Sequence, residues 1–477
     1  MRFVSTVVSA AALSGCLYFG LHRDVGAQNP ADPVSDIFDQ RALTPHTKPE
    51  GGLAAAVATA LTNSPIGKAY NAIRPERSVL IFDCEPTSLW CGQPAFRFQA
   101  ILTEAARVAN PAHPAPDALA LSWYGSAIGM DKDLPGALPK FTSLEQAPLQ
   151  LLAIANRMDL AQWDGKVWSG AEIHFVYGVT PAPDAAALNL TVILEFQLPP
   201  YDRSSFKSLA QTWSDLSTVA DGQYAAKLLN ALASSGLSLG QKNASRVSSV
   251  RLRMNHEIRP GVWRLTQFVL KPGGNAFSPA KLTDQIGAQV KPDSRLYLSL
   301  WKKAQSVVAS GRLQYAVPDE LLEAASMTYN VPDQGMATPP GVCNASEAVR
   351  DVLALQQCSL CHTVESNTVF AHLPNRDRNQ STVPSGFLIG KGKNLHPSLV
   401  DLYYGEDSVV WPVKVPYTTY TGPAGGPCAT PTVSPVCAKR KFHDVARRSL
   451  FLAAVQTDSP LTNGLPQAIK FSTFSTE

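Results

Sequence analysis

Apolar residues recur at every second position in two stretches of the chain: Ile173, Phe175 and Tyr177, then Val192, Leu194 and Phe196. A period of two predicts strands, and the turn-rich residues 178–187 between them predict a hairpin. A second pair of strands is predicted at residues 247–254 and 262–270, joined through Arg259-Pro260-Gly261. Short apolar runs at 78–83, 119–124 and 149–155 are bounded by Pro, Gly or Asp, as buried strands often are. Helical spacing predicts helices over 205–219, 223–233, 296–309, 319–327 and 439–455. Hairpins outnumber strand–helix–strand units, so the expected class is α+β with a mainly antiparallel sheet and packed helices.

The pattern also divides the chain. Residues 1–27 read as an export signal, residues 28–75 as a polar, Pro-rich then Ala-rich tether with one short helix, and 76–335 as the α+β module. A linker-like Met336-Ala337-Thr338-Pro339-Pro340-Gly341 opens a smaller, mostly helical and loop-rich region at 336–477. With 45% hydrophobic and 17% charged residues among 477, the chain can bury a sizeable core. The 41 basic and 38 acidic residues are interspersed, which lacks the basic footprint of a nucleic-acid binder.

The sharpest chemical signal is Cys358-Ser359-Leu360-Cys361-His362, behind an amphipathic stretch carrying Val349, Val352 and Leu353 with Ser346 as its N-cap. In C-x-x-C-H two thiols reach the two vinyl groups of one porphyrin, and the adjacent imidazole becomes the proximal iron ligand. The cofactor implied is haem c, and the stretch resembles the opening of a cytochrome c domain. No methionine follows Met336, so Met cannot return as a ligand from downstream. The candidates for the other face of the iron are His372 first, His396 second, then His443, a histidine of the 76–335 module, or an open site. The same cysteines also suit a disulfide, or a zinc site formed by Cys358, Cys361 and His372 in a binding or structural lipoprotein. A peroxidase-like enzyme would need an open distal face and acid–base groups, which the sequence does not place.

Three readings of the N-terminus stay open: a lipobox at Leu13-Ser14-Gly15-Cys16 that lipidates Cys16, a cleaved signal ending at Ala27, or a retained anchor. All three put the body outside the cytoplasm, in the periplasm or at the outer membrane or cell surface. The first and last attach it to a membrane. Cys84 with Cys91, and Cys428 with Cys437, bracket short loops that suit disulfides in an oxidising compartment, and Cys343 is left over.

Among charged residues, Arg157, Asp159, Glu172, Glu195, Arg253 and Glu257 lie in or beside predicted strands. Paired carboxylates there could serve as acid and base, but opposite charges are interleaved, which favours interstrand ion pairs. Gly236-Leu237-Ser238-Leu239-Gly240 matches G-x-S-x-G, yet it follows a helical pattern where a nucleophile elbow needs a strand. His174 and His256 alternate with apolar neighbours and read as satisfied sheet residues.

The blocks Ala155-Asn156-Arg157-Met158-Asp159-Leu160, 171–178, 191–196, 253–258 and Trp263-Arg264-Leu265, followed by C-x-x-C-H and Phe370-Ala371-His372, resemble a family of uncharacterised bacterial exported lipoproteins. The resemblance implies a shared architecture and an exported life, and no reaction. The expected function is electron transfer through one covalent haem, with a redox partner that the sequence does not specify.

Overall fold

The structure is a computed structural model. It describes residues 59, 62–82, 92–309 with short gaps, 322–323, 326–330, 371–377, 382–389, 395, 409–413, 417–421, 430–434, 438–458, 461–462 and 465–466. Its centre is an antiparallel sheet formed by β1 (Leu80–Ile81), β2 (Leu149–Arg157), β3 (Glu172–Val179), β4 (Leu190–Gln197), β5 (Ser249–Arg259), β6 (Val262–Leu270), β7 (Phe277–Pro279) and β8 (Ser326–Asn330). The order is β1-β2-β3-β4-β5-β6-β8, with β7 also paired to β6, and every pairing is antiparallel. The architecture is therefore α+β.

One face of the sheet presents Ile154, Ile173, Phe175, Tyr177, Leu194, Phe196, Leu252 and Phe268, all fully buried. The helices α1 (Pro65–Ala72), α2 (Phe98–Ala109), α3 (Pro116–Met130), α4 (Arg203–Asp215) and α5 (Asp221–Ser234) contribute to this core, as does a helix from the far end of the chain. The helix α6 (Arg295–Ala309) buries Leu300 and Trp301. The start of α1 is locally encoded: Ser64 Oγ accepts from Gly67 N at 3.0 Å, and Pro65 sits in the first turn. Tyr70 of α1 is fully buried, so the short helix expected at the end of the 28–75 stretch belongs to the core.

The opposite face is covered as well. Leu80, Leu152, Ala153, Ala155 and Val176 pack under Leu373 and the short helix α7 (Gly386–Ile389), together with Val445. The segment after Leu373 is pinned at the end of the β3–β4 hairpin. Asn375 Nδ2 donates to Val179 O at 2.6 Å and Leu188 O at 2.9 Å, and Asp377 Oδ1 accepts from Ala187 N at 2.9 Å. Gly178 is required beneath it, because a Cβ there would lie 1.9 Å from Asn375 Oδ1.

Three expected elements are corrected. The 119–124 run is part of helix α3: its buried residues Leu119, Ala120, Trp123, Tyr124 and Ala127 follow helical spacing, and the run lacks the β-branched residues that favour strands. The described residues of 319–327 are strands, not a helix. Leu322–Glu323 pairs with Leu282–Ile286, and Ser326–Asn330 becomes the edge strand β8 against Val262–Thr266. In the 439–455 helix the first residues belong to the strand Ala438–Phe442, which pairs with Val409–Val413, and α8 (Asp444–Gln456) starts only after the cap at His443.

Helix α8 also redraws the boundary at 335/336. Leu450, Phe451, Leu452 and Ala453 are buried in the same core as Tyr70 and Phe268. Phe451 stands edge-on to Trp168 at 6.2 Å, and Trp168 stacks on Phe206 at 5.0 Å. The end of the 336–477 region thus completes the 76–335 module. Two outcomes follow. A chain ending at residue 335 will lack the folded near-UV signal of the full protein, because losing Phe451 alone removes about 3–5 kcal/mol. Gly178→Ala will cost about 1–3 kcal/mol in urea unfolding, and most of that cost will vanish in an Asn375→Ala background.

Candidate functional site

The covered face of the sheet also carries the charges singled out in the sequence. Side chains of Glu172 and His174 on β3, Glu195 on β4, and Arg251 and Arg253 on β5 emerge on the same face, because His174, Glu195 and Arg251 are register partners across three strands. His174 Nε2 lies 2.8 Å from Glu172 Oε2. Arg251 donates from Nε to Glu195 Oε2 at 2.9 Å and from Nη2 to Glu172 Oε1. Arg253 Nε lies 3.3 Å from Glu195 Oε1 and donates to Gln267 Oε1 at 3.0 Å.

Burial pushes Glu172 up, but the His174 hydrogen bond and the Arg251 charge outweigh it and hold the carboxyl down to about 2. For Glu195 burial is likewise overcome, chiefly by Arg253 and Arg251, and the net shift is downward. A general-acid pair needs one carboxyl raised toward neutrality; here both are lowered. Ligand atoms of Glu172, His174 and Glu195 lie within 4.8 Å of one another, a spacing that could hold a cation. Two arginines already bond those carboxylates, so a cation would have to displace them and meet their repulsion. The arrangement is an interstrand ion-pair lattice.

A second charged group closes around the start of α8. Arg157 donates from Nε to Asp159 Oδ1 at 3.0 Å, and Arg447 donates to Asp159 Oδ2 at 2.5 Å and from Nε to Asp444 Oδ1 at 2.8 Å. Arg448 Nη2 donates to Asp444 Oδ2. Burial would raise both carboxyls, but the surrounding guanidiniums hold Asp159 and Asp444 far below the usual range. For Arg448, burial and then Arg157 lower the pKa. Arg157 and Asp159 were visible as candidates. Arg447 and Arg448 were not among them, and Arg448 is only 7% exposed.

His372, half-buried, lies on the segment that covers the sheet. Its ring stacks on Phe387 with centroids 4.5 Å apart, and its Nδ1 is 3.0 Å from Ser385 Oγ. His443 is buried and its Nδ1 accepts from Ala446 N at 3.2 Å, capping α8. In the neutral ring that places the proton on Nε2, which removes the lone pair needed for iron. Cys16, Cys84, Cys91, Cys343, Cys358, Cys361, His362, His396, Cys428 and Cys437 lie outside the described residues.

The remaining candidates have structural partners. His256 Nδ1 lies 2.7 Å from Asp131 Oδ2, and Arg264 reaches the other oxygen at 2.5 Å. Glu257 accepts from Asn189 Nδ2 at the sheet rim. Of the G-x-S-x-G stretch, Gly236 ends the C-terminal turn of α5 with φ +98°, and Ser238 N donates to the buried Glu104 at 2.7 Å. A helix leads into this turn, so it is not a nucleophile elbow.

The lattice predicts a sign for acid stability. Because the folded pKa of Glu172 lies below its ordinary 4.5, its contribution is present above that value and is lost as pH falls toward about 2. Glu172→Gln should lower stability at neutral pH by on the order of 3 kcal/mol and flatten the acid limb of the unfolding midpoint between about pH 5 and 2. The chain matches no protein-family model, no curated protein and no solved structure.

Proposed function

We propose that the chain is an exported protein that carries one haem c on Cys358, Cys361 and His362 and passes single electrons through it. The observation that carries this reading is the pentapeptide itself. Its donor set fits the group: two thiols at the spacing of the porphyrin vinyls, with an imidazole adjacent. When bound, the haem supplies a one-electron couple.

The chain's own residues supply attachment and orientation. Cys358 and Cys361 would fix the ring, and His362 would bind from the proximal side. His372 is the favoured residue for the other side. Its contact with Ser385 and its stacking on Phe387 hold the ring in one orientation, the kind of support that ligating histidines require. His396 is the second candidate, and His443 is set aside by its capping role.

The resemblance to exported lipoproteins and the short Cys-bracketed loops at Cys84/Cys91 and Cys428/Cys437 support an oxidising compartment. Lipid on Cys16 would attach the protein to a membrane. Among the described residues, no helix is long and apolar enough to cross one.

Protein matured in a cytochrome c maturation system should show a Soret band and an intact mass increased by one covalent haem. The Cys358→Ala/Cys361→Ala variant should lose both. An unchanged mass in the matured wild type, with the two cysteines joined as a disulfide or holding zinc, would overturn the reading. With haem present, His372→Ala should convert a low-spin spectrum to high-spin while His396→Ala does not.

A further inference from the structure

A cleft of about 480 Å³ lies where the start of α4 meets the end of α5. That volume falls within the roughly 300–1,000 Å³ of small-molecule sites. Hydroxyls dominate the lining, and α4 alone contributes Ser204, Ser205, Ser208 and Thr212. Positions 204, 208 and 212 recur every four residues and so share one face of the helix.

The hydroxyl protons on this face are already spent. Ser204 Oγ donates to Asp202 Oδ1 at 2.8 Å, Ser205 Oγ to Asp202 Oδ2 at 3.0 Å, and Thr212 Oγ1 to Ser208 O at 2.9 Å. A hydroxyl has one proton and two lone pairs, so these three oxygens retain only acceptor capacity for a ligand. Donors come from Arg246 and Tyr201. Arg246 is exposed, and its side chain's hydrogen bond among the described residues is a contact of 3.5 Å from Nη2 to Ser234 O. Tyr201, only 8% exposed, reaches the same carbonyl at 3.4 Å. Both lengths lie at the weak end of hydrogen bonding, so a cationic donor and a neutral one converge on the cleft with capacity to spare. Arg246 is close enough for its charge to act on the Tyr201 phenol.

A ligand that satisfies both sets carries an acid group for Arg246 and Tyr201, and hydroxyl donors for the oxygens of α4. Phosphate fits poorly. Ser205 N, a backbone donor at the helix start that would cradle it, is bonded to Asp202 at 2.8 Å, and the Asp202 carboxylate would repel a dianion. A carboxylate brings one charge for one guanidinium, and its two oxygens match the planar guanidinium fork. We propose that this cleft binds a sugar acid, with its carboxylate on Arg246 and Tyr201 and its ring hydroxyls donating to Ser204, Ser205 and Thr212. The site shares no residue with the C-x-x-C-H signature, so failure of either reading leaves the other standing.

The test titrates the full-length protein calorimetrically with sodium D-glucuronate and sodium D-galacturonate, against D-glucose and sodium acetate at equal ionic strength. At least one uronate should bind saturably, with glucose and acetate each weaker by about tenfold or more. Arg246→Gln should weaken uronate binding by about tenfold, and Ser208→Leu, which puts a larger side chain into the cleft, should abolish it. Both positions are exposed, so neither change removes core packing, and an unchanged urea midpoint will confirm the fold. Absence of saturable binding by both uronates overturns the proposal, as does acetate or glucose binding as tightly as the uronate. Those titrations need only the wild type. Unchanged uronate affinity in either folded variant places the ligand elsewhere and overturns the proposal as well.

Discussion

A sheet buried on both faces must provide a partner for every polar side chain it carries, and that constraint organises this molecule. One face is apolar and closed by helices. The other mixes Leu152, Ala155 and Val176 with Glu172, His174, Glu195, Arg251 and Arg253, and much of it is covered by the segment through Leu373 and Phe387. Because side chains alternate strictly along strands, the charges on β3, β4 and β5 meet in register and neutralise one another. A single Glu or Arg in that lattice could not be removed without leaving its partner buried and unpaired.

Coverage of the second face depends on chain segments far apart in sequence. Asn375 grips backbone carbonyls at the end of the β3–β4 hairpin where Gly178 leaves room. Helix α8 serves both faces: Val445 packs on the second, while Phe451 enters the first core among Trp168 and Phe206, and the first turn places Asp444 and Arg447 against Arg157 and Asp159. Residues 371–377, 382–389 and 444–456 are in this way built onto the sheet.

The candidate chemistry divides along physical lines. Glu172 and Glu195 could be read as an acid–base pair from sequence, but arginine neighbours lower both carboxyls, so neither is poised to donate a proton near neutrality. His256 is tied to Asp131, and Ser238 N donates to the buried Glu104. The C-x-x-C-H pentapeptide is different in kind, because it is a spacing within five residues and does not depend on distant partners.

Local periodicity determined much of the fold in advance. The alternation at Ile173–Tyr177 and Val192–Phe196, and the helical spacing in 205–219, 223–233 and 296–309, each reflect a side-chain repeat that the chain carries wherever it packs. Helix α2 is legible by the same rule, with Phe98, Ile101, Leu102, Ala105 and Ala109 on one stripe. Periodicity could not decide the short apolar run at 119–124, since a buried helix and a buried strand look alike over six residues. Nor could it show that 326–330 would join a sheet edge or that α8 would enter a core begun near residue 70, because those outcomes depend on which surface remains uncovered. The sequence by itself thus determined the element periods and the C-x-x-C-H spacing. Only the tertiary structure decided that Arg448 is buried and that His443 is a cap, because burial and partnership belong to the packed chain and not to any local stretch of it.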